Sequence, residues 1–226
     1  MKTTSHQHIL ETLLVVGGPL SLAVLEMVHP HPHDLFQLDL QTWLVVHYLQ
    51  IPLMPLAALA TIVLVRGLSG FAAAMARVGM SVFAVTYTAF DTAAGVVTGV
   101  LVKAARATST PEAWRAPVME VWRHPIIGGA PGTVPLLAVL GAVAWLLGAL
   151  GAAVAVRRAG GPWTPVVLLV VSALGLVVFR THAWPGGPVS FGSLAAAGAW
   201  LRWERTARAK RGVDRAARRD VMPSAS

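Results

Sequence analysis

The side chains most able to do chemistry are imidazoles and carboxylates concentrated in one stretch. His29-Pro30-His31-Pro32-His33 alternates histidine with proline, with Glu26 just before it and Asp34 just after. His47 follows in the next apolar run, and His124 and His182 stand in later connections. Imidazole is the commonest protein ligand for zinc, copper, iron and nickel, and carboxylate is a frequent companion. Glu26, His29, His31, His33, His47, His124 and His182 therefore outline a candidate metal or haem site. The candidate cofactors are copper, zinc or haem iron.

Spacing limits how these groups combine. A residue before proline is driven into extended or polyproline geometry. Polyproline II has three residues per turn, so residues two apart point about 120° from one another. His29, His31 and His33 cannot all reach one ion without a bend, whereas one or two can, with other loops supplying the rest. Glu26 and His29 are three apart and share a face if the helix carrying Glu26 extends that far. His47 lies about one turn inside its own run, close in depth to Glu26, and Gln50 continues the same face inward. The competing account is structural: these histidines cap helix ends and hydrogen-bond headgroups and loop carbonyls.

Asp91 is the second signal. An aspartate at the centre of a membrane helix costs about 2.5–3.5 kcal/mol, so it should face the bundle interior or a wet cavity. Tyr87, Thr88, Asp91, Gly95 and Thr98 form one helical stripe, which reads as a candidate path for a proton or cation. The alternative is an interhelical clasp in which Asp91 bonds to Tyr or Thr. Gly95 and Gly99 would let another helix approach closely. With straight helices, Asp91 lies eleven residues from the outer end of its span and His47 four from the end of its own. Their depths then differ by roughly 10 Å, and the two are expected not to share an ion.

Membrane helices must position these groups. Of 226 residues, 55% are apolar and 12% charged, where a soluble domain carries about a quarter charged. Mean hydropathy is +0.64. This excludes a disordered chain, a collagen-like chain and most soluble enzymes. A spanning helix needs about 20 mostly apolar residues, and six runs qualify or nearly so: Ile9 to Val28, Trp43 to Val65, Gly79 to Val102, Val134 to Val156, Trp163 to Phe179, and the short Val189 to Trp203. Gly17, Gly18 and Pro19 break the first. That run is expected to be retained, because a signal-peptide reading has only Lys2 before it and a poor cleavage site at Ser21-Leu22-Ala23. Pro52 and Pro55 predict a kink or unwound turn in the second.

Placing the N-terminus inside puts thirteen Lys and Arg in the inner segments and five in the outer ones, as the positive-inside rule asks. Trp43, Trp163, Trp184, Trp200 and Trp203 then fall near span ends as an aromatic belt. Six histidines fall on the outer side. In the long outer connection, Pro111-Glu112-Ala113-Trp114 is a helix-start signal. The expected fold is an all-α integral membrane protein: a bundle of about six transmembrane helices, both termini cytoplasmic, with a short amphipathic helix in the outer loop between helices 3 and 4. Residues 1–203 form the transmembrane domain and 204–226 a basic cytoplasmic tail. Eight of the 18 Lys and Arg lie between Arg202 and Arg219, where a membrane-edge role suffices and nucleic acid is not an expected partner.

No motif names a reaction. The chain has no cysteine, hence no disulfide, thiolate ligand or thiol nucleophile. A P-loop, a dinucleotide fingerprint, H-E-x-x-H and G-x-S-x-G are all missing, as is a lysine inside a span for a retinal Schiff base. The leading expectation is a multi-pass inner-membrane (cytoplasmic or plasma membrane) protein with an outward-facing, histidine-rich pocket for a metal or small ligand. The alternatives are a small transporter or channel component using Asp91, and a non-catalytic membrane subunit or scaffold. The lipid bilayer is the expected partner, with a second copy of the chain as a candidate.

Overall fold

The computed structural model describes residues 5–32 and 34–221, with side chains placed for residues 7, 9–32 and 34–207. Every regular element among them is helical: α1 (Ser5–Thr12), α2 (Gly18–Met27), α3 (Leu40–Leu64), α4 (Phe71–Asp91), α5 (Thr98–Arg106), α6 (Arg115–Trp122), α7 (Leu136–Arg158), α8 (Trp163–Phe179) and α9 (Gly186–Val221), besides short 3-10 and π turns. Four helical segments are long and apolar enough to cross a membrane: Ile9–Met27, Leu40–Leu64, Phe71–Arg106 and Leu136–Arg158. The protein is an all-helical membrane protein by this measure. Helix α8 is apolar but only 17 residues long, and the sixth expected run lies inside the 36-residue α9.

Several local expectations change. The glycines of the first span do not break it: a π turn, Leu13–Gly17, joins α1 to α2, and Pro19 occupies the first turn of α2. Nor do Pro52 and Pro55 unwind the second span, since α3 is α-helical throughout. The irregular turn falls in the third span, as a π turn at Thr92–Val97 directly after Asp91. That span also begins eight residues earlier than hydropathy suggested, at Phe71, because Ala72, Ala73 and Ala76 bury a small-residue face.

Small residues set the packing. Helix α4 lies so close to α7 that a Cβ on Gly79 would sit 2.7 Å from the Ala144 carbonyl oxygen and 2.8 Å from the Gly148 nitrogen. Without a hydrophobic drive between helices in lipid, such backbone contact is where association energy comes from. Helix α9 packs on α8 and α2, and α3 packs on α4. Cations gather at one end: Arg66 and Arg202 both pair with Glu11, tying α1 to α3 and α9, while Arg205 donates to the Leu64 carbonyl. Glu26 is at the other end of the same span.

At that other end Asp39 caps α3, its carboxylate accepting from the Gln41 and Thr42 amides and the Thr42 hydroxyl. The Thr42 hydroxyl first, then the Thr42 amide, hold the Asp39 carboxyl below its ordinary range. A depressed folded value adds stability above the ordinary aspartate value, lost as pH falls through the folded one. Asp39→Ala is therefore expected to melt below the wild type at neutral pH, with the gap closing on acidification. Thermal midpoints across that range in detergent check it.

Candidate metal centre

Four segments bring one group together. Glu26 is fully buried in the last turn of α2. The helix ends at Met27, with Val28 already leaving helical geometry, so His29 does not share its face as the sequence suggested. The proline-flanked loop turns the ring back instead, and His29 Nδ1–H donates to the Pro30 carbonyl at 3.0 Å. His47 is buried on α3, its Nδ1–H donating to the Trp43 carbonyl at 2.7 Å. His182 comes from the connection after α8, where Arg180 takes the left-handed conformation (φ 54°) and ends the helix. A Cβ on Gly187, at the start of α9, would lie 1.7 Å from the His182 carbonyl oxygen and 2.7 Å from Glu26 Cγ. Only glycine admits that contact.

The ligand atoms of Glu26, His29 and His182 all lie within 4.8 Å of one another. Gln50 Nε2 donates to Glu26 Oε1 at 2.8 Å, which orients the carboxylate and leaves Oε2 for another partner. Glu26 Oε2, His29 Nε2 and His182 Nε2 are all buried with no hydrogen-bond partner among the described residues. An orphaned buried polar atom costs about 1–3 kcal/mol, so three converging ones ask for a ligand. Both known Nδ1–H donations, from His29 and His47, turn the Nε2 lone pair toward the cluster, as the outer partners of metal-bound histidines do.

Burial, and next to it the facing His182 ring, hold His29 far below its usual range, at about 2. Burial, then His47, do the same for His182, at about 3. Both rings are neutral at physiological pH and keep the lone pair a metal requires. The rings stack edge to face: His29 lies 4.9 Å from His182 and 4.9 Å from His47, centroid to centroid.

Asp91 adjoins this group through His182 and His47. His182 Nε2 lies 3.7 Å and His47 Nε2 3.9 Å from Asp91 Oδ1. The expected separation of His47 from Asp91 is thus overturned. Helix α3 starts at Leu40 rather than Trp43, because Asp39 caps it there, which lowers His47 by three residues. The π turn then sets the register. Trp43 Nε1 donates to the Gly95 carbonyl at 2.8 Å, and His47 lies against Gly95. Trp43, expected in an aromatic belt, is buried in this contact, while Trp163, Trp184, Trp200 and Trp203 are exposed.

The remaining sequence candidates fall in different places. His31 is exposed, with its ring 5.7 Å from His29, and His33 lies outside the described residues. His124 sits after α6, where Nδ1 accepts the Ile126 amide, outside the Glu26–His29–His182 group. Tyr87 packs on His182 at 5.5 Å. Thr88 and Thr98 have buried hydroxyls without partners among the described residues. Gly95 and Gly99 do admit a neighbouring helix closely, and it is α3 of the same chain, through His47, Leu44 and Trp43. Gly187 escaped the sequence reading, and Trp43 was read there only as a belt residue. The signal available for Trp43 was the Asp39 cap, which would have moved the start of α3. Comparison with protein-family models, curated proteins and solved structures finds no match to this chain.

Proposed function

We propose that the protein is a multi-pass protein of the cytoplasmic (inner or plasma) membrane that holds one metal ion at Glu26, His29 and His182. The observation that carries this is the convergence of three ligand atoms within 4.8 Å, each residue presenting a buried atom without a protein partner. The edge-to-face rings at 4.9 Å leave no room for a macrocycle between them, which favours a bare ion over haem. Six spans with both termini inside put the arginine-rich end around Glu11 in the cytoplasm. The metal centre then faces outward, near the membrane surface.

Elemental analysis of untagged, detergent-purified protein tests this, with a visible spectrum taken alongside. Near-stoichiometric zinc, iron or copper without a Soret band is the expected result. Protein that holds no metal, even after incubation with each ion, overturns it. A transporter is the second reading, favoured by Asp91: it is buried within the 36-residue Phe71–Arg106 segment, and an ion passing inward would meet it after Glu26. Uptake of the bound ion by proteoliposomes, lost in Asp91→Asn, would support transport.

A further inference from the structure

Resting on that metal site, we infer that Asp91 and His47 are further ligands of the same ion. The resulting set of three imidazoles and two carboxylates takes a divalent first-row metal and leaves a sixth position for a small exogenous ligand.

The tautomer of His47 carries the inference. The Trp43 carbonyl can only accept, so the hydrogen in that 2.7 Å contact is on Nδ1. In the neutral ring Nε2 is then a bare lone pair, and it faces Asp91 Oδ1 at 3.9 Å. His182 Nε2 faces the same oxygen at 3.7 Å. The His47 Nε2 and Asp91 Oδ1 acceptors repel unless a proton or a cation lies between them. A proton shared between O and N needs roughly 3 Å or less, and both gaps are too long. A metal with bonds of roughly 2.0–2.2 Å holds neighbouring ligand atoms roughly 3–3.5 Å apart. Asp91 and His47 lie outside the group whose ligand atoms are all within 4.8 Å of one another, so metal binding draws them in by side-chain shifts. Asp91 Oδ2 is also buried without a partner among the described residues.

Charge and softness choose the metal class. Two carboxylates and three neutral imidazoles bring two negative charges, which a divalent ion cancels and a monovalent one does not. Within a helix bundle in lipid an uncancelled charge is costly. Nitrogen and oxygen donors alone, with no cysteine in the chain, suit iron(II), manganese, cobalt or zinc better than copper(I). Five protein donors exceed the four of a closed structural zinc site and leave an octahedral ion one position for a small molecule.

Cobalt(II) is the probe, because the intensity of its d–d absorption separates four-coordinate from five- or six-coordinate sites. Untagged full-length protein in detergent is loaded with Co2+ and compared with Asp91→Asn, His47→Gln and Glu26→Gln. The expected result is a weak five- or six-coordinate band in the wild type. Co2+ affinity should fall on the order of 100-fold in both Asp91→Asn and His47→Gln. An intense tetrahedral band in the wild type overturns the inference whether or not any variant folds. So does Asp91→Asn that binds Co2+ as tightly as wild type while Glu26→Gln does not, and there the three-residue site survives. A wild-type protein that takes up no Co2+ overturns both readings together.

Discussion

His29→Ala is expected to release the metal, with affinity falling on the order of 100-fold or more, since loss of a ligand exceeds the 10–100-fold typical of an outer partner. His29 supplies one of three ligand atoms within 4.8 Å. Among the described residues of its loop the other imidazole, His31, is exposed. His31→Ala and His124→Ala should bind metal like the wild type. Metal content after dialysis is one measurement and ligand-induced thermal stabilisation is a second. An ion present at 100 times its dissociation constant adds about 2.7 kcal/mol to folding, so the wild type should gain a clear shift in melting temperature and His29→Ala little or none. Unchanged metal content in His29→Ala would remove the proposed centre.

Gly95→Ala should be among the most damaging single methyls at the described glycines. Its Cβ would lie 1.7 Å from His47 Cδ2 and 2.4 Å from His47 Nε2. The helical preference for alanine offers about 1 kcal/mol in return. Overpacking a filled site typically costs about 1–3 kcal/mol, occasionally more, and no real contact is as short as 1.7 Å. The clash wins, and the ring or the whole of α3 must move. Since Trp43 bonds to the Gly95 carbonyl and His47 faces Asp91, the variant should lose both thermal stability and metal. Gly192→Ala is the control: its Cβ would meet only the Ala23 Cβ, at 3.9 Å, and it should melt at or above the wild type. If Gly95→Ala behaves like that control, the α3–α4 register described above is wrong.

How much of this was legible beforehand depends on the range of the interaction. Solubility in lipid is a property of composition, and helix formation is a property of local runs, so the helical membrane class could be read directly. The fifth run, Trp163 to Phe179, even has the bounds of α8. Candidate ligands were legible as residue types: of the seven named, Glu26, His29 and His182 have ligand atoms within 4.8 Å of one another, and His47 packs on His29. Their relation to Asp91 was not. It depends on where α3 starts, which the single Asp39 cap decides, and on a π turn that no sequence pattern announces.

The sequence alone therefore determined the apolar, helical class of this protein and which residue types were candidate ligands, because each is carried by one residue or one short run. Only the tertiary structure decided which candidates meet. Convergence of α2, α3, α4 and the α8–α9 connection is set by how near two backbones can come. That distance is governed by the missing side chains at Gly95 and Gly187, whose partners His47 and Glu26 lie far away in the chain.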